Sequence, residues 1–129
     1  LSKLPISIPF SAVTGPLDYM ERLPGHASFV IGFVEGESIL VALDLAGFAA
    51  SSGSACTTGS TEPSHVLLAM GLPADLARGS LRFSFGRNNS ENDVDDLLDA
   101  LSGIVQKLRS LSPLNNASLP LDWEKWVGN

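Results

Sequence analysis

Ser80-Leu81-Arg82-Phe83-Ser84-Phe85 decides the fold class of this chain. The six residues alternate without a break. Leu81, Phe83 and Phe85 point to one side, and Ser80, Arg82 and Ser84 to the other. That is the period of a strand with one apolar face, and such a face must be covered. Downstream, Ser90 caps a predicted helix over 90–111. Ser90-Glu91-Asn92-Asp93 is a near capping box with Asp in place of the usual Glu or Gln. From Val94 through Leu97, Leu101, Leu108 and Leu111, apolar residues recur at helical steps. The acids Asp93, Asp95, Asp96 and Asp99 crowd the first turns, and Lys107 and Arg109 lie near the end. Both arrangements suit the helix dipole, and Pro113 stops the helix.

Upstream, Ala27–Val34 (ASFVIGFV) is the clearest other strand, with Phe29, Ile31 and Phe33 on one face. Gly36 opens a helix, GESILVALDLAG, with Gly47 at its C-cap. Ser11–Thr14 and Phe48–Ser51 read as short strands. Pro63 suits the first position of a helix PSHVLLAMG, and Pro73 starts a short helix PADLAR. Residues 1–25, rich in Pro and Gly, read as mostly irregular. There is no internal repeat and no linker, so residues 1–129 read as a single domain. The expected fold is α+β: a small, mainly antiparallel sheet covered by helices. Its sheet holds Ala27–Val34 and Ser80–Phe85, and the 90–111 helix packs on it. Phe29, Phe33, Leu81, Phe83, Leu97, Leu101 and Leu108 are the expected core.

The chain has 129 residues, enough for one core without metal or disulfide staples. Hydrophobic residues make up 44% and charged residues only 17%, against about 25% in an ordinary soluble domain. Such a chain hides a surface against a partner or is part of something larger, and a start at Leu1 rather than Met fits the latter. Eight Lys+Arg face 14 Asp+Glu, a net charge of −6, which argues against nucleic-acid binding. No apolar run is long enough to cross a membrane. One cysteine and two histidines are too few for a disulfide framework or a protein-only metal site. A single thiol suits a reducing, cytoplasmic setting.

That thiol, Cys56, lies in SSGSACTTGSTEP (Ser51–Pro63), where nine of the eleven residues from Ser51 to Thr61 are Ser, Thr or Gly. Such a segment buries too little apolar area to offset its ordering entropy, so a mobile loop is expected. A cysteine there is either a functional thiol or an ordinary free one. No Lys, Arg or His flanks it, so a group that deprotonates it must come from elsewhere. His26 and His65 are candidates, and each also reads as a plain surface histidine. Arg82, mid-strand beside two serines, either grips a carboxylate bidentately or makes an ordinary surface ion pair.

Five segments together resemble a known family: RLPGHASFVI (22–31), VEGES (34–38), SSGSACTTGS (51–60), EPSHVLLAMG (62–71) and GSLRFSFGR (79–87). Their order and spacing are similar to those of cysteine desulfurases, in the branch with the long SSGSAC loop. The resemblance covers about residues 20–113; the first twenty residues and the tail after Pro113, with Trp123 and Trp126, match poorly.

The resemblance implies an aminotransferase-like enzyme that uses pyridoxal phosphate and works as a homodimer. A large domain holds the cofactor on a lysine, and this chain looks like the smaller C-terminal part. By motif position Cys56 is the persulfide-forming nucleophile and Arg82 binds the carboxylate of substrate cysteine. Alanine leaves, and the sulfur passes to an acceptor or cluster scaffold protein for iron–sulfur assembly or related pathways. A dozen-residue loop could swing the sulfur by on the order of 10 Å, since an extended chain gains about 3.3–3.6 Å per residue. The family's lysine follows a histidine, whereas Lys3, Lys107 and Lys125 do not. No cofactor-binding residue is therefore expected on this chain, and the chain alone is expected to be inactive. The alternative is a non-catalytic module that carries sulfur on Cys56 or docks partners; a selenocysteine-specific lyase is a lesser variant.

Overall fold

The computed structural model describes residues 1–53 and 62–112. Three strands form one antiparallel sheet in the order β1 (Ser11–Val13), β2 (His26–Ile31), β3 (Ser80–Ser84). In register, Val13 pairs Phe29, Phe29 pairs Leu81, and Ser28 pairs Arg82. Around the sheet lie α1 (Lys3–Ser7), α2 (Gly36–Leu45), α3 (His65–Ala69), α4 (Ala74–Ala77) and α5 (Glu91–Leu111).

The alternation of β2 and β3 sends Ala27, Phe29, Ile31, Leu81 and Phe83 to one face, where they are buried. Leu97, Leu98, Leu101 and Val105 of α5 close over them, with Ile39 and Leu43 of α2 and Leu4 of α1 completing the core. The capping box at Ser90 forms as expected: its side chain accepts from Asp93 N, and Asp93 accepts in return from Ser90 N. Two backbone N–H groups, those of Ser90 and Asp93, are thereby satisfied at the start of a 21-residue helix. Helix α2 begins hard against β3. A Cβ on Gly36 would lie 2.6 Å from the Ser80 carbonyl oxygen, so only glycine admits this approach. Its end is the expected one, with Gly47 at φ +89° just past the last turn.

The opposite face of the sheet divides in two. Ala12 and Val30 are buried under Leu67, Leu72, Leu76 and Ala77 of α3, α4 and their connection. The other half carries His26, Ser28 and Arg82, polar side chains over which no helix of the described residues lies.

Several expectations need correction. The strand predicted through Val34 ends at Ile31, because Gly32 N donates to Phe10 O and the chain turns with Phe33 at φ +65°. Phe33 is accordingly half-buried, its ring edge-on to Phe10 at 5.3 Å, rather than in the sheet core. Leu108 packs on the core only in part. Of the expected Phe48–Ser51 strand, only Ser51 reaches the sheet, in a single bridge to Arg82. Phe48 N is instead spent on Leu43 O, finishing α2. Helix α3 starts at His65 with Ser64 as its cap, so Pro63 precedes the cap rather than opening the helix. Within the irregular N-terminal stretch, Lys3–Ser7 is a helix; Pro5 is tolerated in its first turn, where an N–H has no intrahelical partner.

Candidate functional site

The uncovered half of the sheet is the floor of an open cleft of about 470 Å³. Thr14, Ser28 and Arg82 lie on the floor, Arg22 and His26 at one side, and Gly53 and Ser64 at the other. Leu23, Val66 and Met70 give it an apolar wall, and the exposed Glu21 lies at the rim.

Arg82 is held by its backbone. Arg82 N donates to Ser51 O at 2.7 Å and Ser51 N to Arg82 O at 3.1 Å, on the edge of β3. Among the described residues its guanidinium makes one contact, 3.5 Å from Nη2 to Ser51 Oγ, the long limit of a hydrogen bond. The ordinary surface ion pair is not formed with any described residue. A half-buried guanidinium with free donors in a cleft is suited to a planar anion.

On either side of the segment holding Cys56, Gly53 and Ser64 line this cleft. Gly53 N donates to Ser80 Oγ at 3.2 Å, and Ser64 is buried at the start of α3. Cys56 itself, with the whole 54–61 stretch and its expected mobility, lies outside the described residues, as do Trp123 and Trp126.

Of the two histidines, His26 lines the cleft, whereas His65 is exposed at the first position of α3 and does not. The sequence reading singled out His26 and Arg82 but passed over Thr14, Ser28 and Ser51. The signal was present: the even residues of HASFVI put His26 and Ser28 on the face opposite Phe29, and that face meets Arg82.

Among the described residues no lysine lines the cleft to capture a pyridoxal-type cofactor covalently. Lys3 and Lys107 belong to α1 and α5, on the far side of the sheet from the cleft, and Lys3 Nζ is 2.7 Å from Asp95 Oδ1. Lys125 lies outside the described residues. Among the described residues no cluster of His, Cys, Asp or Glu could hold a metal ion. None of their helices is long and apolar enough to cross a membrane.

The aminotransferase class-V family pattern matches residues 7–97. A cysteine desulfurase of Gluconacetobacter diazotrophicus is 55% identical over 101 residues, covering 78% of this chain and 25% of that protein. The cysteine desulfurase IscS of Clostridium botulinum (strain Hall) is 43% identical over 122 residues, covering 95% of this chain and 29% of that protein. The chain thus spans about a quarter of the length of these curated relatives. Among solved structures, a NifS-like protein from Rickettsia africae superimposes with a TM-score of 0.66 at 25% identity, over 81% of this chain and 26% of that one. Sheet, helices and pattern agree, and the chain belongs to the aminotransferase class-V family.

Proposed function

We propose that this chain is the C-terminal part of a cysteine desulfurase, a single small domain that presents a carboxylate-binding arginine and a sulfur-accepting thiol to one cleft. The observation that carries this reading is Arg82: a half-buried guanidinium, unpaired with any described residue, on a cleft floor flanked by both ends of the Cys56 segment. Cys56 is three residues from Gly53, and three residues of chain span at most about 11 Å. That length ties Cys56 to Gly53, which lines the same cleft as Arg82.

In this reading Arg82 receives the α-carboxylate of L-cysteine. The Cys56 thiolate would form a bond to the substrate sulfur as the substrate's Cβ–S bond breaks with its electron pair left on carbon; protonation of that carbon gives L-alanine, and Cys56 keeps the persulfide. The class-V family is pyridoxal-phosphate dependent in general, and the bound cofactor supplies an electron sink. The described residues give it no lysine, so the cofactor belongs to a large domain of the complete enzyme, and cleavage of the C–S bond is not the work of this chain alone. A homodimer, a cytoplasmic location and delivery of sulfur to an acceptor or cluster scaffold protein complete the proposal. The relatives named cysteine desulfurase support the sulfur chemistry, and the single thiol suits a reducing compartment.

The test is a comparison of this chain with the complete protein. Incubated with pyridoxal phosphate and desalted, the isolated chain should retain no cofactor colour and should form no alanine from L-cysteine. The complete protein should do both. Alanine formation by the isolated chain, or none by the complete protein, would refute the assignment.

A further inference from the structure

The cleft floor holds a polar pair that the reading of Arg82 leaves unused. Ser28 is the direct cross-strand partner of Arg82. Residues so placed have Cβ atoms about 5 Å apart. Both side chains line the same cleft. Ser28 Oγ accepts a hydrogen bond from Thr14 Oγ1 at 2.5 Å. Thr14 is itself fixed: its N–H donates to Ser28 O at 2.9 Å, and its carbonyl accepts from Arg22 Nη1 at 3.0 Å. Arg22 Nη1 also donates to Pro16 O at 2.5 Å, bracing the turn that follows Thr14.

The Thr14 and Ser28 hydroxyls share one hydrogen bond, so the pair keeps one further proton to donate, that of Ser28 when Thr14 is the donor. No described residue accepts it. The position is one that a neutral strand face does not require, and a hydroxyl that accepts one hydrogen bond becomes a stronger donor for the next. Across the strand pair lies a guanidinium whose donors are also free to meet an anion. A carboxylate has two oxygens and accepts more hydrogen bonds than a single guanidinium edge supplies.

We propose that Ser28 is a second carboxylate contact beside Arg82, donating its hydroxyl to the substrate carboxylate, with Thr14 as the residue that positions it. The inference rests on the reading of Arg82 as the carboxylate-binding residue. It makes the floor of the cleft a two-donor site, one charged and one neutral, suited to a carboxylate. Arg22 acts at a further remove, by holding Thr14 in place.

The complete protein, loaded with pyridoxal phosphate, tests it through KM and kcat for L-cysteine and through inhibition by L-alanine, which carries the carboxylate without the sulfur. Ser28→Ala should raise KM and weaken alanine inhibition by the same factor, about tenfold, with kcat unchanged. Ser28→Thr, which keeps the hydroxyl, should restore both. Thr14→Val should shift KM in the same direction by a smaller factor, and it stands in for Ser28→Ala if that variant fails to fold. Arg82→Ala is the control. If it weakens both constants while Ser28→Ala and Thr14→Val do not, the role of Ser28 is overturned and the reading of Arg82 stands. A fall in kcat at unchanged KM for Ser28→Ala overturns it equally. If Arg82→Ala also leaves both constants unchanged, the carboxylate site itself is wrong and Ser28 falls with it.

Discussion

Replacing Arg82 by alanine should separate folding from binding. The guanidinium gives the folded chain one described contact, at 3.5 Å from Ser51 Oγ. The pairing of β3 with Ser51 uses only backbone atoms and survives the change. What folding loses is packing of the aliphatic stem, so its cost should be about 1 kcal/mol or less. Substrate binding loses more. A hydrogen bond to a charged group is worth about 1.5–3 kcal/mol, a factor of roughly 10 to 150 in affinity. Arg82→Lys keeps the charge without the planar fork and should fall between. The assays are urea unfolding of the chain and the substrate dependence of the complete protein. A loss of several kcal/mol in stability would make Arg82 a structural residue. An unchanged KM for L-cysteine would remove it from the site.

Two further outcomes test the scaffold that holds the cleft. Leu101 is fully buried where α5 meets the sheet, so Leu101→Ala should cost about 2–5 kcal/mol in urea unfolding. A change near zero would mean that α5 is not what covers the apolar face. At the start of α5, hydrogen bonds from the Ser90 backbone, then the Ser90 hydroxyl, hold the Asp93 carboxyl below its ordinary range. A carboxyl whose folded pKa is depressed stabilises the fold above its unfolded pKa, and the contribution disappears as pH falls through the folded value. The stability gap between wild type and Asp93→Ala should therefore be full near neutral pH and close in acid. A gap independent of pH would show that the capping box does not act through the ionised carboxylate.

The strand pairing and the long helix were legible because each carries an unbroken period. SLRFSF alternates at every position, and the α5 stripe runs from Val94 to Leu111 behind a recognisable cap. The end of β2 was not legible, since ASFVIGFV keeps its strand-like composition past Ile31. What stops it is a tertiary bond, Gly32 N to Phe10 O, between residues far apart in sequence. Phe10 itself sits at φ +58°, and Arg109 from α5 donates to Pro9 O and Gly32 O on either side of that junction. Burial lowers the pKa of the Arg109 guanidinium. Nothing local announces such a clamp. Helix α1 was hidden for a similar reason: its five residues include a proline, and only Leu4 and Ile8 docking in the core define it.

The candidate site was half legible. Arg82 stood out because a long cation interrupts an otherwise apolar and hydroxylic strand. The significance of Ser28 and Thr14 depended on register, which places Ser28 opposite Arg82 and Thr14 beside Ser28. No composition of the separate segments reveals that convergence. The split of the second sheet face, half under α3 and α4 and half open, likewise appears only when Leu67, Leu72 and Leu76 are seen to stop at Val30.

In the proposed function, sulfur from L-cysteine is transferred to Cys56. The most direct measurement of that transfer is peptide mass spectrometry of the complete protein after reaction with L-cysteine under anaerobic, reductant-free conditions. The account predicts that the peptide containing Cys56 gains one sulfur atom, that alanine appears in equal amount, and that Cys56→Ser abolishes the added sulfur. An unmodified Cys56 during continuing alanine formation, or undiminished sulfur transfer by Cys56→Ser, would contradict it.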